Sequence, residues 1–323
     1  MPNSRTFGSA VSALLLALFV AVAGAETYPT KPLRLVIPYP PGGSNDIIGR
    51  ITAAQLGERL GTQVIVDNRG GAGGLIGTEA VAKSPADGYT LLLISVGHAF
   101  NPSMYKLPYD PATAFTQVAM LGSGPVALAV NAGLPVNSVK DLLALATQKP
   151  GQLFYVSGGV GSFSHLASAL FKMQAGIDIV HVPFKGGAPA LVDVIAGNTH
   201  IAIGSLVQTL PYIKTGRLKL LGVGGAKRLA SFPDVPTIAE AGVSGYEATA
   251  WWGVLAPAGT PRAVIDRLHR EFSVILTSAE MKKRFEAEGA EALQMTPDEF
   301  GRFIDAETAK WAKVVKDAGI RAE

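Results

Sequence analysis

The chain has 323 residues, 48% of them hydrophobic and 16% charged, with 37 glycines and a formal net charge of +3. That composition excludes a disordered chain and leaves room for two domains around separate cores. The charge is too weak and too dispersed for nucleic-acid binding, and the absence of cysteine excludes disulfides, thiol chemistry and thiolate metal sites.

Residues 1–25 read as an export signal. Arg5 gives a positive start, "VSALLLALFVAVAGA" an apolar stretch, and Ala23-Gly24-Ala25 a small-x-small cleavage site. Cleavage after Ala25 would leave an exported mature protein beginning at Glu26. A retained N-terminal anchor is the alternative, but the apolar run is short for a membrane span. No later apolar run approaches spanning length, so the mature protein is expected to be soluble and held by core burial alone.

The elements then alternate. A strand is expected over 33–39 and a helix over 46–60, joined by the proline- and glycine-rich turn "YPPGGSN". A strand over 63–67 leads through the glycine loop "NRGGAGG" into a helix over 76–83. The strand over 89–95, "YTLLLIS", is apolar without alternation, as in a parallel sheet covered on both faces. This is a βαβ series, which makes the fold class α/β.

A second series starts near Val126 with "VALAV". Ser138 caps a helix, with Asp141 at its third position as a weak capping box. Strands over 153–157 and 177–184 lead through "GGVGS" and "KGGAP" into helices over 163–175 and up to Ala196. Strands over 200–205 and 218–223 follow. "WWGVLAP" is one more strand, in which Trp251 and Trp252 are lid or core, core being expected for at least one. Thr260-Pro261 starts a helix with proline at the first position. Thr296-Pro297-Asp298-Glu299 is a full helix start, after which Phe300, Phe303, Ile304, Trp311, Val314 and Val315 share one face. That face is expected to pack back on the first domain. No repeat appears at the residue level, but both halves share one layout of strand, glycine-rich turn and helix.

Three turns, 40–46, 157–165 and 184–189, each join a strand to a helix and aim free backbone N–H groups above the strand. Glycine permits close approach and a helix N-terminus favours an anion. "GGVGS" lacks the P-loop lysine, and no G-x-G-x-x-G with a suitably spaced acid is present. One such turn is an ordinary tight connection. Three of them at strand ends of two lobes point to one anionic ligand held between the lobes. Ser162 and Ser164 near His165 suggest a serine hydrolase, but G-x-S-x-G is absent. The five histidines, at 98, 165, 181, 200 and 269, show no metal-binding spacing. His181 reads as structural, and His98 follows a strand end toward the cleft.

The stretches "YPTKPLRLVIPYPPGGSNDIIGR", "VIVDNRGGAGGLIGTEAVAKSPADGYTLLL", "HAFNPSMY", "GSFSHLASALF", "VPFKGGAPALVDVIAG" and "RLASFPDVPTIAEAG" occur in that order. Together they resemble the tripartite tricarboxylate transporter substrate-binding proteins, also called Bug receptors, over the whole mature chain. The resemblance implies a two-lobed periplasmic binding protein of type II-like architecture, with two mixed or parallel sheets flanked by helices and the ligand cleft between them. Lobe 1 would be residues 26–125 with 247–323, and lobe 2 residues 126–246. It implies a monomer without cofactor or metal that binds a small organic carboxylate, a di- or tricarboxylate or an aromatic acid, and passes it to a membrane permease.

By the same resemblance, the first turn brings Tyr39, Pro41, Gly42, Gly43 and Asp46 to the ligand. The second lobe brings Ser157, Gly159, Gly161, Ser162 and His165. Ser95 and His98, then Lys185 and Gly186, complete the cleft. Asp46 would repel an anion, so it is expected to cap its own helix and hold the turn. Many family members carry an aspartate where this chain has Gly204-Ser205, and Ser205 at that place argues against an amine-bearing ligand. Closure is expected to hinge at strands 126–130 and 251–256. A sensor feeding a membrane kinase and a hydrolase using Ser162 and His165 are the competing readings.

Overall fold

The computed structural model describes residues 28–320. The export signal and its cleavage site lie outside the described residues.

The first sheet opens with β1 (Leu33–Ile37), α1 (Ser44–Leu60), β2 (Val64–Asn68), a single 3-10 turn (Ala72–Gly74), α2 (Leu75–Ala82), β3 (Thr90–Ser95) and α3 (Val96–Met104). β1 stops two residues earlier than expected, because Pro38, Pro40 and Pro41 have no N–H to donate to a ladder. α3 is a helix where the sequence reads as a loop, since the internal Pro102 looks like a breaker. It sits at the seventh position of a nine-residue helix, where it removes one N–H from the ladder two residues before the helix ends.

β4 (Phe115–Asn131) begins well before Val126. Gly122, Gly124 and Pro125 hide it in the sequence. Gly122 is nonetheless required there: a side-chain carbon would collide with the Glu291 carbonyl of the short β10 (Glu291–Ala292), which pairs with β4. The second series runs α4 (Val139–Gln148), β5 (Phe154–Ser157), α5 (Phe163–Ala175), β6 (Val180–Pro183), α6 (Gly187–Ala196), β7 (Ile201–Ser205), α7 (Leu206–Lys214) and β8 (Leu218–Val223). Like α3, α7 carries an internal proline, Pro211, that masks it. The chain returns through β9 (Thr249–Pro257), α8 (Arg262–Thr277), α9 (Ala279–Ala287), β10 and α10 (Pro297–Asp317). Pro261 is the N-cap of α8 and not its first helical residue, so the helix starts one position later than the sequence suggests.

The two sheets repeat one plan. In the first, β1 lies between parallel β2 and β3, and antiparallel β9 and β4 follow. In the second, β5 lies between parallel β6 and β7, and antiparallel β4 follows, with β8 also on β4. β4 belongs to both: its residues up to Pro125 pair with β9, and from Val126 they pair with β7 and β8. The second crossover is the segment from Gly224 to Ala248, tied down where the Gly224 N–H donates to the Val126 carbonyl and the Ala248 N–H to the Gly224 carbonyl. This is a two-lobed α/β binding-protein fold.

Trp251 and Trp252 are both fully buried. The capping box at Thr296 forms as expected, with the Glu299 N–H donating to Thr296 Oγ1 and the Thr296 N–H to Glu299 Oε2. Phe300, Ile304, Trp311 and Val315 of α10 are buried, against α3 and β4 of the first lobe. The Trp311 ring meets Phe100 of the first lobe edge-on at 6.2 Å and also reaches the second lobe, meeting Phe163 edge-on at 5.7 Å.

Candidate functional site

The shared plan brings six strand ends to one cleft. β1, β2 and β3 end there from one side, and β5, β6 and β7 from the other. Each hands over to a helix, with N-caps Gly43, Gly74, Ser95, Ser162, Gly186 and Ser205. Helix N-termini carry unpaired N–H groups and partial positive charge, so the cleft is a field for an anion. Its volume is about 510 Å³. Among the described residues that line it, Lys185 is the one with a formal charge and none is a carboxylate.

Of the residues the sequence points to, Tyr39, Pro41, Gly43, Ser95, Gly159, Gly161, Ser162, Lys185, Gly186 and Ser205 line this cleft. Gly42, Asp46, His98, Ser157 and His165 do not. Their places in the fold explain why.

Gly42 and Asp46 build the first turn. Gly42 adopts φ 81°, a left-handed conformation suited to glycine. Its N–H donates to Asp46 Oδ2 at 3.0 Å, and Arg50 Nε donates to Oδ1 at 2.9 Å. Arg50 also donates to Asn68 Oδ1 at 3.0 Å, and Asn68 Nδ2 donates to the Tyr39 carbonyl at 3.1 Å. Burial alone would raise the Asp46 pKa, but bonds from Arg50, Gly42 and Asn68 outweigh it and hold the carboxyl below its usual range. Asp46 therefore fixes the turn from behind, and Asn68, which no sequence pattern singles out, ties it to β2.

His98 packs edge-on against Phe115, ring centroids 5.9 Å apart, and burial pushes its imidazole down to about 4. Its neighbours Gly97 and Phe100 take the places on the cleft.

Behind the second turn lies a stack of three rings. His165 lies on His181 at 4.0 Å and 7°, and His181 on Tyr155 at 5.0 Å. His165 Nδ1 accepts from the Gly161 N–H at 3.1 Å, and Ser157 Oγ pairs with His181 Nε2 at 2.6 Å. Both residues support the turn from below. Ser162 Oγ accepts from the His165 backbone N–H at 3.3 Å and meets Ser164 Oγ at 3.1 Å, with no imidazole bonded to it among the described residues. Ser162 thus lacks the imidazole partner that a serine nucleophile requires, and the Ser157–His181 pair lies behind the turn, off the cleft lining.

Burial, then the neighbouring His165, lowers the His181 pKa from 6.5 to about 4, and burial lowers that of His165. The unfolded chain binds protons on these rings near pH 6.5 while the folded chain refuses them. Stability therefore falls as pH drops from about 6.5 toward 4 and stops falling from this source below that. A His181→Phe variant keeps a flat ring in the stack and should show a flatter decline. Melting temperatures of both proteins across that range check it, and parallel declines would contradict it.

The sequence reading missed Asn45, the 71–74 loop, Phe100, Phe163 and Gln208, all of which line the cleft. Three polar atoms here are buried without a partner among the described residues: Asn45 Oδ1, Ser205 Oγ and Gln208 Nε2.

The family model described as the tripartite tricarboxylate transporter family receptor matches residues 48–320. The chain belongs to that receptor family. Protein BugT of Bordetella pertussis is 38% identical over 319 residues, covering 95% of this chain and 97% of BugT. The structure of R. palustris Rpa4515 with adipate has 40% identity and a TM-score of 0.88, covering 91% of this chain and 99% of that one. MatC from Rhodopseudomonas palustris, with bound malate, has 28% identity and a TM-score of 0.83, covering 89% and 100%. The receptor is thus a solute-binding protein of a periplasmic family and not an enzyme. No helix among the described residues is long and apolar enough to cross a membrane.

Proposed function

We propose that this receptor captures a small organic carboxylate, a di- or tricarboxylate or an aromatic acid, by closing its lobes on it in the periplasm, and delivers it as a monomer to a tripartite tricarboxylate permease. The observation that carries the reading is the convergence of six helix N-termini on a cleft lined by no acid. The bound adipate and malate of the relatives support it. A helix N-terminus contributes up to about 2 kcal/mol to a partly buried anion. Micromolar affinity, about −8 kcal/mol, is within reach of a few such contacts with apolar packing on Tyr39, Phe100 and Phe163.

The closing bodies are residues 26–125 with 247–323 and residues 126–246, supported by the change of partner along β4. Residues 252–255 are paired on both sides within the first sheet, and the bonds at Gly224 and Ala248 support a second hinge just ahead of strand 251–256. The ligand turns of the two lobes approach closely at the rim: a side-chain carbon on Gly42 would lie 3.9 Å from Ala188 Cβ, and one on Gly186 would lie 3.7 Å from Pro40 Cγ.

A thermal-shift screen of the exported protein over di-, tri- and aromatic carboxylates tests this. At a hundred times its Kd a ligand adds about 2.7 kcal/mol to stability, a shift of several degrees. No shift with any acid would end the carboxylate reading.

A further inference from the structure

We propose that Ser205 and Gln208, at the start of α7, form a second anchoring point that selects ligands with a hydrogen-bond-accepting group, such as a second carboxylate, at the end remote from lobe 1. This rests on the carboxylate reading above and names the ligand class within it.

Ser205 is 6% exposed, lines the cleft, and its Oγ has no partner among the described residues. It is the N-cap of α7, yet it does not cap. Ser138, Ser162, Ser278 and Thr296 each turn an oxygen back onto an N–H of their own helix, while Ser205 makes no such bond. Its hydroxyl and the first-turn N–H groups behind it stay uncommitted.

Gln208 lies one turn along. Its amide occupies the space over the Gly187 α-carbon: a side-chain carbon on Gly187 would lie 2.5 Å from both Nε2 and Oε1. The bare glycine at the start of α6 is what admits this amide to the cleft wall. Nε2 is buried without a partner. Beneath the pair a side chamber of about 30 Å³ opens between Gly187, Gly204, Ser205, Gln208 and Thr209, room for about one water-sized group.

The repeated plan sharpens the assignment. Ser95 ends β3 at the N-cap position of α3 as Ser205 ends β7 at that of α7, neither side chain bonding back to its helix, which makes His98 the counterpart of Gln208. His98 is spent on Phe115. The second lobe alone offers a free amide at this place. A hydroxyl, an NH₂ and a helix N-terminus make a donor set that fits an acceptor. A cationic amine would find two neutral oxygens and no acid.

Titration calorimetry on the full mature receptor tests the assignment, with straight-chain dicarboxylates from succinate to suberate, each beside its matched monocarboxylate (hexanoate for adipate). The best dicarboxylate should bind about tenfold or more tighter than its partner. Gln208→Leu should lower that affinity about tenfold while leaving the monocarboxylate within about twofold. Gln208→Glu, nearly isosteric but charged, should abolish dicarboxylate binding alone. Melting curves of both variants confirm folding. Equal binding of the two acids by the natural receptor, or equal losses for both in Gln208→Leu, overturns the second anchor while leaving the carboxylate reading intact. Binding of neither class removes both.

Discussion

Replacing Trp251 by alanine will destabilise the receptor by about 3–5 kcal/mol, among the largest effects a single core truncation has. Trp251 is 1% exposed and sits on β9 opposite Ser123 of β4, just before β4 crosses to the second lobe. Its ring meets Phe303 edge-on at 5.3 Å and Phe300 at 6.2 Å, so it joins the sheet to α10. Its Nε1 donates to Glu307 Oε2 at 2.9 Å, and Trp311 Nε1 donates to the same oxygen at 3.0 Å. Alanine leaves a large cavity and removes one of the two indole donors on a mostly buried carboxylate. Trp251→Phe keeps most of the ring and loses the N–H, and should cost about 1–2 kcal/mol. Urea unfolding followed by circular dichroism reads both. The midpoint should move with little change in slope. A loss below about 1 kcal/mol for the alanine variant would mean that α10 is not held at this seam.

Gly161→Val will weaken ligand binding by about 100-fold while leaving the empty receptor folded. Gly161 adopts φ 73°, which costs a residue with a side chain about 1–2 kcal/mol. It also faces the other lobe. A side-chain carbon there would lie 2.6 Å from Met104 Cε and 3.0 Å from Tyr105 Oη, both at the end of α3. Overpacking of this kind costs about 1–3 kcal/mol where neighbours cannot give way. An open receptor can separate the two surfaces, so the clash falls on the closed, ligand-holding state. The variant should melt within a few degrees of the natural receptor when empty. Calorimetry with the best acid from the screen should show the loss. Unchanged affinity would mean that Gly161 and α3 do not meet when ligand is held.

The sequence revealed the parts whose chemistry is local. Buried strands such as "TLLLIS" announce themselves by unbroken apolar runs, and the turns at Pro40 and Gly158 by the residues that only turns demand. Asp46 was legible in part: it holds the turn as expected, but it does not cap its helix, since it accepts from the Gly42 N–H ahead of the N-cap Gly43, which has no side-chain cap bond. β4, α3 and α7 were hidden by glycine or proline residues whose tolerance depends on neighbours, as Gly122 depends on β10. The packing of His98 on Phe115, off the cleft lining, was hidden for the same reason. A strand followed by a serine and a helix occurs twice, and only packing shows that Phe115 takes the side chain at 98 while Gly187 makes room for the one at 208. Asn68 acts at a distance of 22 residues from Asp46 in the chain, through Arg50, and no spacing in the sequence signals it.

The central claim is that the cleft recognises negative charge with backbone and neutral side-chain donors. Titration calorimetry with the best dicarboxylate and with its dimethyl ester, equal in carbon skeleton and lacking charge, tests it most directly. The acid should bind with micromolar affinity or better and the ester should give no measurable heat of binding at millimolar concentration. Equal binding of acid and ester would contradict the account.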